Sequence, residues 1–191
     1  GGRLCEQLDE EGRALHDSWD NIARVMFVVA MMSGAIWGVC AMLRSAIHWI
    51  GDGLIAMTEQ RGDLFGWALL LSALAVGGAI RGLLTERPAW RDAAGDGVDV
   101  ALANYHVTYE HAGDDPQPRY DRPAFGLALR KAIATALTLG SGASGGLEAP
   151  VVLIGETMGA GWSRVFRARS EHEVRTYQLA GIAAAVGTLI G

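Results

Sequence analysis

Two uninterrupted apolar stretches dominate the first half of the chain. Residues 25–43 contain 19 positions without a charge, bracketed by Arg24 and Arg44, and residues 64–80 contain 17. A membrane-spanning helix needs about 20 mainly apolar residues, with a range of about 17 to 25. The pattern therefore predicts two transmembrane helices joined by a short polar loop, which is an antiparallel helical hairpin.

Further positions refine these two predicted spans. The apolar pattern resumes beyond the first stretch and continues to Met57, which predicts a long and tilted first helix. Gly34 and Gly38 form a GxxxG pair in the first span, and Gly78 and Gly82 form another at the end of the second. Such pairs predict close contacts between helices. Buried helices of a soluble protein are the alternative, and a second span of the same kind disfavours it.

The first 20 residues are polar and acidic, with leucines and Trp19 near helical spacing. This spacing predicts an amphipathic helix at the membrane surface, and a solvated leader that packs on nothing is the alternative. We therefore divide the chain into an amphipathic N-terminal segment, residues 1–20, and a membrane domain, residues 21–191.

The second half of the chain alternates polar connections with shorter apolar segments. Residues 85–122 are polar, and the run GDGVDVALANYH within them predicts a short helix from Val98. Residues 123–139 and 150–166 predict two more helices, and a further helix begins near Glu171. The predicted fold class is all-α, in a polytopic membrane protein.

One stretch, TLGSGASGGLEAPVVLIGETMGAG at residues 138–161, combines a glycine-rich turn, a carboxylate and a helix start. Glu148 follows the glycines, and Pro150 is predicted as the first helical residue, where its missing N–H costs nothing. The glycines allow a tight turn that brings several N–H groups together at the positive end of the helix dipole. These groups predict an anion site, and in a membrane sequence they indicate a gated anion pathway. An ordinary acid that stabilises a helix N-terminus is the alternative for Glu148.

Composition and charge narrow the function classes. The chain has 191 residues, half of them hydrophobic, and a net charge of −5, which disfavours a nucleic-acid partner. Cys5 and Cys40 are far apart and predict no disulfide framework. The glycine-rich run lacks the Gly-Lys-Ser/Thr of a P-loop, and the five histidines show no metal-ligand spacing. We therefore expect no enzyme activity, no cofactor and no metal.

The stretch around Glu148 resembles the signature of the CLC family of chloride channels and proton-coupled chloride transporters. In that family a G-[KR]-E-G-P motif begins a half-membrane helix, and an I-G-x-x-x-G run follows it. The corresponding residues here are Gly146, Leu147, Glu148, Ala149 and Pro150, followed by Ile154, Gly155 and Gly159. Lys131 also stands where the family often has a lysine, and GDGVD at residues 95–99 stands where it has G-S-G-x-P. Residues 176–191 look like the family's next helix.

The resemblance implies an inverted-repeat fold with tilted and broken half-membrane helices, of which the chain covers roughly the first half. It implies that Glu148 is the gate, whose carboxylate occupies the anion position until chloride or a proton displaces it. The implied anion-binding residues are Asp96, Gly97, Gly146, Leu147, Ala149 and Val151, with Lys131 as electrostatic support. The implied substrate is chloride or a similar small anion, with protons as a second substrate in an exchanger. A homodimer in the lipid bilayer is implied for the full-length protein.

Four positions depart from the family pattern. Leu147 replaces a basic residue, Ala149 replaces a glycine, Asp96 replaces a serine hydroxyl, and Asp99 replaces a proline. An ionised Asp96 would repel an anion by about 4 kcal/mol at roughly 4 Å with an effective dielectric constant of about 20. Asp96 therefore caps a helix, is protonated, or changes what the site binds. The alternatives for the whole protein are a transporter of another anion, or a relative that senses ions or assembles without conducting.

Basic residues are distributed unevenly about the two spans. Arginines precede the first span and gather again in residues 81–131, whereas the loop between the spans carries only Arg44 and Arg61. The positive-inside rule therefore predicts a cytoplasmic N-terminus, and we expect a multi-pass protein of a bacterial inner membrane. The apolar run at residues 179–191 is too short to span a bilayer, so we expect the membrane domain to continue beyond it.

Overall fold

A computed structural model describes the backbone of residues 2–60, 64–110, 124–168 and 171–190, and the side chains of Trp19 and residues 22–60, 64–106, 124–168 and 172–190. The α-helices in these ranges are α1 (Gly2–Glu59), α2 (Leu64–Thr85), α3 (Val98–Glu110), α4 (Ala124–Gly140), α5 (Glu148–Val165) and α6 (Glu171–Ile190). A short 3₁₀ helix, Pro88–Ala93, lies between α2 and α3. These ranges contain no strand, so the predicted all-α fold class is confirmed.

α1 is one continuous helix that extends well beyond the predicted span. Its part from Ile22 to Glu59, 38 residues, is apolar enough to cross a membrane. At 1.5 Å per residue this part is about 57 Å long, against about 30 Å for the hydrocarbon core. The helix must therefore tilt or project from the bilayer, and its predicted length is confirmed. The amphipathic prediction for residues 1–20 concerns side chains that, apart from Trp19, lie outside the described ones.

α2 returns beside the end of α1 and forms the predicted hairpin. Gly66 lies against the carbonyl group of Thr58 near the turn, and Gly77 lies against Ser141 at the end of α4. α2 is the second helix that is long and apolar enough to cross a membrane. It continues four residues past Arg81 to Thr85, so the predicted end of the span at residue 80 was too early.

α5 and α6 cross at a contact made by glycines. A Cβ atom on Gly155 would collide with the backbone of Gly181, and one on Gly159 would collide with the backbone of Tyr177 and Gln178. Small residues allow helix backbones to approach closely in this way. By contrast, a Cβ atom on either predicted GxxxG pair of α1 and α2 would meet no described atom within 4 Å. Those two pairs therefore make no close helix contact in the part of the chain that the structure describes.

The main core lies where α1, α4, α5 and α6 meet, with α5 at its centre. Its buried members include Met32, Ile36, Ala128, Ile154 and Tyr177. A second, smaller cluster, formed by Ala93, Ala101, Leu127 and Leu153, packs the 3₁₀ helix and α3 against α4 and α5. This second cluster brings the start of α3 beside the first half of α5.

Candidate functional site

The start of α5 leaves a set of backbone N–H groups without helical partners. The helix begins at Glu148, so Pro150 is its third residue and not its first as predicted. The reason proline is tolerated is unchanged, because the first N–H groups of a helix have no acceptor within it. The first bond into the helix runs from the N–H of Val151 to the carbonyl group of Leu147, at 3.0 Å. The N–H groups of Leu147, Glu148 and Ala149 precede that bond.

The Glu148 side chain bends back over the glycine turn that precedes its helix. A Cβ atom built on Gly146 would collide with Oε2 of Glu148. Only glycine at position 146 leaves room for the carboxylate in this position. The requirement for glycine at position 146 therefore comes from the carboxylate, because the left-handed φ of this turn falls on Gly142 and not on Gly146.

A cavity of about 320 Å³ lies in front of this carboxylate. Four segments line it: the turn and first residues of α5, the turn that precedes α3, one face of α4, and Arg81 of α2. The cavity brings together five of the residues predicted from sequence, namely Asp96, Lys131, Gly146, Glu148 and Ala149. Residues about 50 positions apart in the chain thus meet at one place.

Three predicted residues lie away from this cavity. Leu147 and Val151 line a second cavity of about 310 Å³, which Cys40 of α1 and Thr188 of α6 also line. The N–H of Val151 is engaged inside α5, so it is not a free anion donor. Gly97 is buried beneath the cavity wall, against Leu153.

Asp96 caps the first N–H of α3 from the position before the N-cap residue Gly97, which is close to one of its three predicted alternatives. Its Oδ1 accepts a hydrogen bond from the N–H of Val98, the first residue of α3, at 3.0 Å. The flanking Gly95 and Gly97 have φ angles of 67° and 103°, in the left-handed region that favours glycine. The carboxylate still lines the cavity.

Lys131 is almost fully buried, with 2% of its surface exposed, and it anchors the turn before α3. Its Nζ donates to the carbonyl group of Gly95 at 2.8 Å and to that of Ala93 at 3.4 Å. A Cβ atom on Gly97 would lie 3.1 Å from the Cε of Lys131, so the glycine also makes room for the lysine stem. Lys131 thus holds the turn in place and contributes a positive charge to the cavity wall.

Arg81 is a cavity-lining cation that our sequence analysis counted only among the arginines of residues 81–131. It lies inside α2 and is the only charged residue of that helix. The Nε atom of Arg81 is buried and has no hydrogen-bond partner among the described residues. A charge inside an apolar helix usually faces a cavity or a partner, and that signal could have identified it.

The ionisable side chains that line the cavity balance in formal charge. Arg81 and Lys131 are cationic, whereas Asp96 and Glu148 are anionic when ionised. Removal of the Glu148 charge, by protonation or by movement of the side chain, would leave the wall with one net positive charge. That is the charge that a monovalent anion would neutralise.

Two long apolar helices, and a cavity with four ionisable side chains at the start of α5, define a helical membrane protein with a charged site at a helix start. The family model described as "Voltage gated chloride channel" matches residues 77–190, which include every residue that lines the cavity in front of Glu148. The chain belongs to this family, whose members move chloride and related anions across membranes. Searches of curated proteins and of solved structures returned no match.

Proposed function

We propose that the protein transports chloride or a similar small anion through a path that the Glu148 carboxylate gates. The observation that carries the proposal is the position of this carboxylate, folded over Gly146 in a cavity at the start of α5, where the first N–H groups have no acceptor within the helix. The helix start offers the same donors to a carboxylate and to a halide. The two anions therefore compete for one place.

The charge balance of the cavity supports this exchange. With Glu148 ionised and in place, the cavity-lining charges sum to zero, and no further anion is required. When a proton neutralises Glu148, the charges of Arg81 and Lys131 exceed that of Asp96 by one. A chloride ion that enters restores neutrality, and an ion held mainly by N–H groups can leave again.

The geometry of Asp96 removes an objection to anion binding. Its Oδ1 accepts the N–H of Val98, and Lys131 holds the neighbouring carbonyl group of Gly95. A carboxylate that caps a helix has part of its charge compensated by that helix end. Asp96 and the replacement of a basic residue by Leu147 bear on which anion is preferred. We expect chloride to pass, and fluoride and nitrate are the anions to compare with it.

The test is anion flux from liposomes that contain the full-length protein, with Glu148→Gln as the variant. Glutamine cannot ionise and resembles the protonated acid, so the path should stay open and the flux should lose its pH dependence. The exposed acid Glu86, which does not line the cavity, provides the control. Glu86→Gln should behave as the wild-type protein does.

Two outcomes would contradict the proposal. Flux that retains its full pH dependence in Glu148→Gln would show that this carboxylate is not the gate. The absence of flux of any tested anion in the wild-type protein would favour a relative that senses ions or assembles without conducting. Proton movement, recorded in the same liposomes, separates channel conduction from proton-coupled exchange.

A further inference from the structure

A second glutamate, Glu156, lies fully buried in the interior of α5, away from the cavity. It follows Glu148 by eight residues, which places it about 12 Å further along the helix axis. An ionisable side chain in the core of a membrane protein is costly and usually has a function. The function proposed for Glu148 does not use this second carboxyl group.

Two neutral amide side chains hold the Glu156 carboxyl group from opposite helices. Nδ2 of Asn104, on α3, donates to Oε2 at 3.0 Å. Nε2 of Gln178, on α6, donates to Oε1 at 2.8 Å. The glycine contact at Gly159 makes the second bond reachable, because it brings the Cα of Gln178 against α5. One carboxyl group therefore joins three helices.

The Gln178 amide has one buried atom that the present arrangement leaves unused. Its Oε1 is buried and has no hydrogen-bond partner within the described residues. A buried acceptor without a donor destabilises the fold, so such an atom calls for an explanation. The two ends of a glutamine amide have nearly the same shape, and rotation by a half turn exchanges donor and acceptor.

We propose that Glu156 is a proton-binding site in the helical core, and that the Gln178 amide reverses when the proton binds. When Glu156 is ionised, Nε2 of Gln178 donates to the carboxylate, as observed. When it is protonated, the reversed amide presents Oε1, which accepts the O–H of the carboxylic acid. The same two side chains thus serve both protonation states without any shift of the backbone.

Protonation at this site also changes how α3 is held. The bond from Asn104 is charge-assisted while the carboxyl group is ionised, and such bonds are roughly twice as strong as neutral ones. A proton on Glu156 therefore weakens the attachment of α3 to α5. The turn before α3 forms part of the cavity wall, so the proton site is mechanically linked to the cavity.

The charged residues of α6 and α1 near this site are largely engaged with each other. Tyr177 donates its hydroxyl to Glu173 at 2.8 Å, and Arg24 of α1 lies 3.7 Å from Glu173. Arg175 precedes Gln178 by three residues and so shares its side of α6. Arg175 is thus the charged residue of α6 in register with the amide.

α3 and α4 pack on the other sides of α5, and their described ionisable groups lie away from Asn104 or bond elsewhere. Among the α3 residues whose side chains are described, 98–106, the ionisable ones are Asp99, Tyr105 and His106, none of them three or four positions from Asn104. On α4, the Nζ of Lys131 donates to the carbonyl groups of the turn before α3. A titration in this part of the core is therefore assigned to the buried carboxyl group of α5.

The experiment is infrared difference spectroscopy of the full-length protein in lipid as the pH is varied. The wild-type protein should show the carbonyl band of a protonated carboxylic acid that grows as the pH falls and shifts in deuterium oxide. Glu156→Gln should lose the component of this band that Glu148→Gln retains, whereas the exposed-site control Glu86→Gln should keep it. Glutamine preserves the volume of the side chain, and Gln178 can offer it either end of its amide.

A second variant keeps the test decisive if Glu156→Gln does not fold. Asn104→Leu removes a donor to the ionised form and should raise the midpoint of the band's titration by about one to two pH units. A spectrum without any protonating band that depends on Glu156, or an unchanged midpoint in Asn104→Leu, would overturn the proposal. Glu148→Gln should retain the band, so failure of the gate and failure of this site are separate results.

Discussion

At the scale of single residues, the positive charges of the cavity come from α2 and α4 and not from the position before Glu148. The motif that this stretch resembles has a basic residue before its glutamate, and this chain has Leu147 before Glu148. The side chain of Leu147 lines a different cavity, so a basic residue in its place would not face Glu148. Arg81 instead reaches the cavity from α2, and with Lys131 it balances the two carboxylates.

We predict that Arg81→Gln weakens anion binding and flux. At about 4 Å, unit charges interact by about 1 kcal/mol in water and more in a shielded cavity, so we expect at least about a fivefold loss of apparent affinity. Chloride dependence of flux in liposomes measures it. Arg87→Gln, at an exposed arginine that does not line the cavity, is the matched control. Equal flux in both variants would show that Arg81 does not contribute to anion binding.

At the scale of elements, the placement of α5 depends on glycines more than on large apolar side chains. Gly155 and Gly159 meet the backbone of α6, and the ring of Phe125 covers Gly161. These contacts bury most of the middle of α5, whereas Glu148 at its N-terminus is exposed where the helix start lines the cavity. The same contacts bring Gln178 to the buried Glu156.

We predict that Gly159→Ala destabilises the protein by about 1–3 kcal/mol, because the added methyl group meets backbone atoms that cannot rotate away. Thermal unfolding of the purified full-length protein in detergent measures the effect. Gly187→Ala on α6 is the control, since its Cβ meets no described atom within 4 Å. That control should be neutral or stabilising by up to about 1 kcal/mol. Equal unfolding temperatures for the two variants would mean that the helix contact is looser than the structure shows.

At the scale of the whole molecule, the apolar surface identifies the faces that meet lipid or other membrane helices. Large hydrophobic side chains are exposed along α1 and α2, among them Phe27, Trp37, Trp49, Trp67 and Leu71. Soluble monomeric proteins rarely expose an apolar surface of this extent. The surface therefore agrees with membership of a membrane-transport family.

We propose, from the distribution of basic residues, that the N-terminus is cytoplasmic and the α1–α2 turn is on the other side. In a protein with Cys5 and Cys40 replaced by serine, Gln60→Cys should react with a membrane-impermeant maleimide in intact cells. Glu86→Cys, after α2, should react only after permeabilisation. The reverse pattern would invert the orientation, and labelling of both from one side would show that α2 does not cross.

Local features of the sequence were sufficient for the helices and for the central motif. Uncharged stretches of spanning length predicted α1 and α2, since the bilayer core sets the required length. The glycines and Pro150 predicted a helix start at Glu148 to within two residues, because their backbone preferences act within one turn. The GDG run likewise predicted the start of α3 at Val98. These predictions depend only on residues that are close together in the chain, so the local sequence was sufficient for them.

Contacts between distant segments were decided only by the tertiary structure. Lys131 bonds to Gly95 across 36 positions, and Asn104 bonds to Glu156 across 52. No spacing rule predicts such partners, because the packing of three or four helices determines which side chains face each other. For the same reason Arg81 joined the cavity while Val151 did not. The sequence by itself determined which segments are helical and where the anion motif lies; only the packing of these helices decided which charges surround it, because side-chain direction depends on how each helix is rotated against its neighbours.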